Sequence, residues 1–169
     1  RMEHFLSLLP HDSEAGLELA RNYEQRMEGK VALDVDKKRK LRHAIEIRHE
    51  SFMDEAFIAL LRKYKVAVVV ADTAGKWPLI EDVTADFMYL RLHGDKELYA
   101  SGYTEEALDR WAARIQAWSS GSQPEDAHLV SSKAPPVRKS RDIFCYFDND
   151  IKVRAPFDAR RLIEKLGLA

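Results

Sequence analysis

The feature that most restricts the fold is an uninterrupted apolar run, VAVVV, at residues 66–70. A strand with one face in water alternates apolar and polar residues, whereas this run is apolar on both of its sides. Strands of this kind are typical of parallel sheets whose two faces are covered by other parts of the protein. The run therefore predicts a buried parallel strand.

Three other segments have strand patterns, and helical patterns separate them. The predicted strands are AIEIRHE at 44–50, FMYLRLHG at 87–94 and DIFCYFDND at 142–150. Apolar residues at helical spacing follow two of the four strands: Phe57, Leu60, Leu61 and Tyr64, and then Leu108, Trp111, Ala112, Ile115 and Trp118. A last helix is expected from about Phe157 to Leu166, and two more at Met2–Leu9 and at Ser13–Met27, with Asp12 or Ser13 as the N-cap.

Strands that alternate with helices build parallel sheets through right-handed crossovers. The predicted fold class is therefore α/β, as an open doubly wound sheet or as part of a (β/α)8 barrel. Residues 119–141 are polar and rich in serine, proline and lysine, which predicts a flexible connection inside the domain.

Composition narrows the class of protein. The chain has 169 residues, 46% of them hydrophobic, so we expect one globular domain. Its formal net charge is -1, so we expect no long-range electrostatic attraction to nucleic acid or to an anionic membrane. No apolar run approaches the roughly 20 residues of a membrane span. The single cysteine suits a reducing compartment, which predicts a cytoplasmic protein. Because the sequence starts at Arg1 and enters a helical pattern at once, we expect it to be part of a longer protein.

Polar residues collect at the carboxyl ends of all four predicted strands, where both architectures bind their ligands. Side-chain alternation predicts that six of these residues share one interior face: Glu46, Arg48, Asp72, Arg91, His93 and Asp148. Tyr89 belongs to the same face, and Asn149 follows Asp148 directly. Buried charges cost several kcal/mol unless they are paired, wet or bound to a ligand.

These residue types suit acid/base chemistry. We expect His93 to transfer protons with Glu46 or Asp72 as the general base. Arg48 and Arg91 would bind a carboxylate or phosphate, and the remaining substrate contacts would come from Tyr89, Asp148 and Asn149. The predicted function is a lyase, isomerase or hydrolase that acts on a small anionic or sugar-like substrate. A structural ion network and a non-catalytic metabolite-binding barrel are the alternatives.

A metal-assisted phosphodiesterase acting on nucleic acid is a weaker alternative. His93, Glu46, Asp72 and Asp148 are potential ligands of a divalent metal, but two arginines on the same face would repel a cation, and no HExxH motif is present. The basic stretches at 37–42 and 133–141 precede strands and so lie away from the predicted site. Nucleophilic catalysis has little support because there is no GxSxG motif and Cys145 is predicted to face the helices.

Several motifs in this order resemble the YecE-like family, a domain of unknown function. They are RHESF at 48–52, VVAD at 69–72, YLRLHG at 89–94 with LYASGYTEEALDRWA after it, YFDND at 146–150 and APFDA at 155–159. The resemblance implies a TIM barrel, of which residues 1–169 would form the C-terminal part with strands five to eight, and the missing N-terminal half would be its partner. It implies no agreed activity. Many members carry an amide where this chain has Asp148, so the chain adds a charge there.

Overall fold

The computed structural model of the chain describes residues 1–151 and 153–169. The chain divides into two compact units, Arg1–His43 and Ala44–Ala169. None of the helices in these described residues is both long enough and apolar enough to cross a bilayer.

The first unit contains two short helices, α1 (Met2–Ser7) and α2 (Ser13–Ala20), and a 3₁₀ turn at Gln25–Met27. Asp12 is the N-cap of α2, as predicted, and its side chain accepts a hydrogen bond from the backbone N–H of Ala15 at 2.9 Å. The helix is shorter than the predicted Ser13–Met27. None of the residues Ser13–Ala20 is buried, and helices gain most of their stability from packing an apolar face.

The second unit is a parallel α/β structure. Its elements are β1 (Ala44–Ile45), α3 (Glu55–Tyr64), β2 (Ala67–Asp72), β3 (Phe87–Leu92), α4 (Glu105–Ser119), β4 (Asp142–Phe147) and α5 (Ala155–Lys165). The four strands pair in the order β1-β2-β3-β4, and every pair is parallel. The α/β class and the parallel sheet are confirmed. The sheet does not close on itself in the described residues, and β1 and β4 form its edges.

One face of the sheet packs on the helices. Met88, Leu90 and Leu92 of β3 belong to a buried cluster that also contains the whole predicted stripe of α4: Leu108, Trp111, Ala112, Ile115 and Trp118. The helical periodicity therefore predicted this layer correctly. The first strand, by contrast, is much shorter than predicted, because only Ala44 and Ile45 pair with β2 before the chain leaves the ladder at Glu46.

The register between β2 and β3 corrects the prediction for Asp72. Val70 lies beside Leu90, and Asp72 lies beside Leu92. Paired residues of neighbouring strands project from the same face, so Asp72 lies on the helix-covered face. The prediction that it shares a face with Arg91 is wrong. Since β2 is apolar on both sides, its alternation does not indicate which side is the inner one.

Residues 120–141 connect α4 to β4 without regular secondary structure, as expected for a long connection. Two buried carboxylates before β3 anchor this connection. Glu81 accepts a hydrogen bond from the backbone N–H of His128 at 2.8 Å, and Asp82 accepts from those of Val130 and Ser131 at 2.7 and 3.1 Å. The connection is therefore tied to the loop between β2 and β3.

Candidate functional site

Four charged side chains meet at the carboxyl edge of the sheet: Glu46, Arg48, Arg91 and Asp148, here called the ion cluster. Arg91 lies at its centre. Its Nε donates to Asp148 Oδ2 at 2.8 Å, its Nη2 lies 2.6 Å from the same oxygen, and its Nη1 donates to Glu46. Glu46 also accepts from Arg48 Nε at 2.7 Å. Residues that follow β1 and β4 are thus joined through a residue of β3.

A small residue of β2 lies beside Arg91 and allows the ion cluster to extend across the sheet. Ala71 is the partner of Arg91 in the register of β2 and β3. Its methyl group leaves space for the arginine to extend across β2 toward Glu46. A longer side chain at residue 71 would occupy the path of the guanidinium group.

The ion cluster balances its own charge. Burial raises the pKa of Glu46, but hydrogen bonds from Arg48 and Arg91 outweigh burial and leave the pKa below its ordinary value. Burial lowers the pKa of Arg91, and Glu46 and Asp148 more than reverse this. Two cations face two anions, and the three guanidinium nitrogens of Arg91 are all used inside the cluster. Arg91 is therefore committed to protein carboxylates rather than presented to a ligand.

His93 lies beside the ion cluster and is fully buried. Its Nδ1 is 3.4 Å from Asp148 Oδ2. Neither ring nitrogen has a hydrogen-bond partner within residues 1–151 and 153–169. Burial lowers the pKa of His93, and the positive charge of Arg91 lowers it further, so the neutral imidazole predominates at neutral pH.

The turn after His93 encloses the imidazole ring. The ring of Tyr99 meets it edge-on, with 5.2 Å between centroids, and the backbone N–H of Tyr99 donates to the carbonyl of His93 at 2.5 Å. Gly94 has a φ of +128°, and a Cβ at this position would lie 2.4 Å from the carbonyl oxygen of Glu97. Only glycine fits this turn without displacing the backbone.

Asp72 has a different environment on the other face of the sheet. It accepts a hydrogen bond from the hydroxyl of Tyr103 at 3.0 Å, and that hydroxyl accepts from the backbone N–H of Gly94 at 3.1 Å. Burial raises the pKa of Asp72 and also that of Tyr103. Asp72 therefore supports the turn after His93 through Tyr103, and it is separate from the ion cluster.

Asn149 is buried and is bonded to other parts of the protein. Its Nδ2 donates to the carbonyl of Ser101 at 3.0 Å and to Asp158 Oδ2 at 2.8 Å. Asp158 also accepts from the backbone N–H of Tyr103 at 3.0 Å and from Arg161 Nη2 at 2.6 Å. This arrangement joins the end of β4 to α5 and to the loop before α4. Asn149 was predicted to bind substrate; its Nδ2 has protein acceptors here, whereas its buried Oδ1 has no hydrogen-bond partner among the described residues.

Tyr89 precedes Arg91 by two residues in β3 and therefore lies on the same face of the sheet. Its ring stacks on Tyr146 with 5.1 Å between centroids and on Phe144 with 6.5 Å. Phe87 contacts Phe144 edge-on at 5.9 Å. These four rings, here called the aromatic face, lie on the same side of β3 and β4 as Arg91.

Sequence reasoning missed four residues that shape this edge: Trp77, Tyr99, Tyr103 and Asp158. Arg48 Cζ lies 4.2 Å from the ring centre of Trp77, and Lys76 Nζ lies 5.0 Å from it. The position of Trp77 offered a signal, because it is an aromatic residue in a loop that directly follows the carboxyl end of β2. The roles of Tyr103 and Asp158 depend on contacts between distant segments and left no local pattern.

Other chemistries have less geometric support. Burial raises the pKa of the Cys145 thiol to about 12, and Cys145 packs against the helix-side core as predicted. A thiol in this state is a poor nucleophile. Within the described ranges 1–151 and 153–169, no three His, Cys, Asp or Glu side chains are grouped as metal ligands.

Comparisons with known proteins place the chain in a family. The model of a family described as a protein of unknown function, DUF72, matches residues 1–169. A solved DUF72 family protein from Thermotoga maritima MSB8 has 23% sequence identity and a TM-score of 0.60, covering 75% of this chain and 46% of that one. A search of curated proteins gave no match.

Two crystal structures of a DUF72 family protein from Enterococcus faecalis V583 are also similar. One has 15% identity and a TM-score of 0.58, covering 76% of this chain and 48% of that one. The other has 16% identity and a TM-score of 0.54, with 76% and 50% covered. The chain thus spans about half the length of these solved proteins, and at such identities the likeness shows the fold alone. Since the family model extends over every residue, the chain belongs to the DUF72 family.

Proposed function

We propose that the second unit is the C-terminal half of a YecE-like (β/α)8 barrel, whose N-terminal half lies outside residues 1–169. Four observations support this proposal. The sheet is parallel, its strands pair in chain order, and it has two edges in the described residues. The chain also covers 46% to 50% of the solved DUF72 proteins. A closed barrel would pair both edges and cover the aromatic face.

We propose further that the carboxyl edge of this sheet is an acid/base site for a small anionic or sugar-like substrate, with His93 as the proton-transfer group. The observation that carries the proposal is the absence of any hydrogen-bond partner for either ring nitrogen of the buried His93 among the described residues. An unsatisfied buried polar group costs about 1–3 kcal/mol. Such a cost is common at functional sites, where the partner is supplied by a ligand.

Asp148 is suited to orient the imidazole. A proton on Nδ1 would face Asp148 Oδ2 at 3.4 Å, which would leave Nε2 as the proton acceptor. Arg91 fixes Asp148 from the other side. Glu46 is a poor general base in this arrangement, since the two arginines hold its pKa below the ordinary value.

Substrate access requires a movement of the turn that carries Tyr99, because His93 is fully buried. Tyr99 is not a glycine but has a φ of +62°, a backbone conformation that costs of order 1–3 kcal/mol. Releasing this strain would offset part of the cost of opening the turn. The reaction class that fits is proton transfer to or from carbon or oxygen, as in a lyase, isomerase or hydrolase.

The test uses the complete protein with both barrel halves. Mixtures of small phosphorylated, carboxylated and neutral sugars are incubated in deuterated water, and deuterium incorporation and product formation are followed by mass spectrometry. A His93→Gln variant should lose at least 100-fold of the turnover, because general acid–base catalysis contributes about 10²–10⁴-fold. The matched control is His4→Gln, since His4 is exposed in α1 and lies in the other unit.

Unchanged turnover in a folded His93→Gln protein would refute the catalytic role. Ligand binding with full affinity and no turnover in the wild-type protein would instead support a metabolite-binding barrel that uses the same pocket.

A further inference from the structure

A second concave region lies beside the ion cluster. It is a cavity of about 700 Å³ between the segments that follow β1 and β2. Its lining includes Arg48, His49, Met53, Lys76 and Trp77. Its volume lies within the range of pockets that bind small molecules.

Two cations in this cavity are held over one aromatic ring. The guanidinium carbon of Arg48 is 4.2 Å from the centre of the Trp77 ring, and the ammonium nitrogen of Lys76 is 5.0 Å from it. Cation–π contacts of this length hold a charged group in position. Within the part of the chain that the structure describes, Arg48 donates to Glu46 through its Nε, and its guanidinium group borders the cavity.

His49 adds a neutral donor. Its Nδ1 accepts a hydrogen bond from the backbone N–H of Ser51 at 3.1 Å. In the neutral imidazole, an acceptor Nδ1 requires the proton on Nε2. Glu50 also lines the cavity, so the lining carries two cations and one carboxylate, and Arg48 shares its charge with Glu46.

We propose that this cavity binds the phosphate group of a small phosphorylated substrate. Arg48, Lys76 and His49 line the cavity with charged and neutral N–H donor groups, and the oxygens of a phosphomonoester are strong acceptors for such donors. Trp77 and Met53 offer apolar surface to the carbon part of the molecule. This inference rests on the proposed function and extends it, since Arg48 joins the cavity to the ion cluster beside His93 through Glu46.

A small molecule fits the cavity better than nucleic acid does. The chain as a whole carries a net charge of -1. The basic stretches at 37–42 and 133–141 precede β1 and β4, whereas the cavity follows β1 and β2. A nucleic-acid backbone needs a continuous line of cations over several phosphates.

Tryptophan fluorescence tests the proposal directly. Trp111 and Trp118 are buried in the helix-side core, and a ligand-dependent change that a Trp77→Phe variant lacks reports on Trp77. The complete protein is titrated with inorganic phosphate, glucose 6-phosphate, glucose and a short single-stranded oligonucleotide. Saturable changes with phosphate and glucose 6-phosphate, and none with glucose, would support the proposal.

Lys76→Ala should weaken binding of glucose 6-phosphate by about tenfold, the effect of losing one charge-assisted contact. Lys76 is exposed, so this variant should fold normally. The matched control is Lys63→Ala. Lys63 lies on α3, outside the cavity lining, and its Nζ is also close to an aromatic ring, 5.3 Å from the centre of Tyr64. The Lys63→Ala protein should bind glucose 6-phosphate like the wild-type protein.

Two results would overturn the proposal: equal binding by wild-type and Lys76→Ala proteins, or preferential binding of the oligonucleotide. The His93→Gln variant separates this inference from the proposed function. It should bind glucose 6-phosphate normally even though its turnover is lost, and normal binding together with normal turnover would contradict the function while leaving the phosphate site intact.

Discussion

Arg91 determines the electrostatics of the candidate site. It is one of two arginines that contact Glu46. From β3 it also contacts Asp148, so it joins a residue that follows β1 to a residue that follows β4. Its side chain is 31% exposed and that of Glu46 is 14% exposed. Removing one partner of a pair with this degree of burial leaves the other charge uncompensated, which is destabilising.

Glu46→Gln should therefore destabilise the protein at neutral pH by about 1–2 kcal/mol. The pKa of Glu46 is lowered in the folded state, so its stabilising contribution is complete above the unfolded value of about 4.3 and disappears as the pH falls through the folded value. Urea denaturation at a series of pH values from 7 down to below the folded pKa of Glu46 should show the difference between variant and wild type shrinking in acid.

Glu18→Gln is the matched control for this experiment. Glu18 pairs with Arg21 at 2.7 Å, but both side chains are more than half exposed, so its loss should change the free energy of unfolding by less than about 0.5 kcal/mol. A Glu46→Gln effect no larger than this control would mean that the ion cluster contributes little to stability.

Much of the site at this scale could be predicted from the sequence. Alternation and the rule that ligands bind at strand ends predicted that Glu46, Arg91 and Asp148 would converge, and they do. The face of the sheet on which Asp72 lies could not be predicted. Because β2 is apolar on both sides, its sequence does not show which residues point to the helices. Which donors and acceptors pair, as for Asn149 with Asp158, depends on the packing of distant segments and is not encoded locally.

At the scale of elements, the connection between α4 and β4 is the least regular part of the second unit, yet it is anchored. Asp82 is buried and uses both carboxylate oxygens, one for the backbone N–H of Val130 and one for that of Ser131. Gly121 has a φ of +84°, and a Cβ there would overlap the carbonyl of Arg138. The two ends of the connection are thus packed closely against each other.

Asp82→Asn should loosen this connection. The amide replaces one acceptor oxygen with a donor that would face a backbone N–H, and an unsatisfied buried group costs about 1–3 kcal/mol. Trypsin cleavage after Lys133, Arg138 and Lys139 should become several-fold faster. Glu125→Gln, an exposed substitution in the same connection, should be cleaved at the wild-type rate, and equal rates for both variants would show that Asp82 does not hold the connection in place.

The buried stripe of α4 was predicted better than the length of the first strand. The stripe of α4 runs from Leu108 to Trp118, about three turns at 3.6 residues per turn, so its pattern is strong. The length of the first strand depends on how many residues of β1 pair with β2. This pairing involves two segments, so neither sequence alone carries a periodic signal for it.

At the scale of the whole molecule, the main feature is a parallel sheet with two edges. Beside the β4 edge, a groove of about 540 Å³ between α4, β4 and α5 has mainly apolar walls. Unpaired strand edges promote association with other chains. In the proposed barrel, the N-terminal half would pair with both edges and fill this groove.

Residues 1–169 expressed alone should therefore dimerise or aggregate, whereas the complete protein should be a compact single domain. Light scattering coupled to size-exclusion chromatography measures both, over a range of concentrations. A stable monomer of residues 1–169 would contradict the half-barrel proposal. Recovery of a single compact species when the two halves are produced together would support it.

The order of the strands also bears on how the protein is made. Because β1, β2, β3 and β4 pair in the order in which the ribosome synthesises them, each new strand meets a partner that has already emerged. The sheet can therefore assemble during translation by stepwise addition at one growing edge. The cotranslational intermediate always exposes its newest strand, so this is where a chaperone would be needed until the next strand arrives.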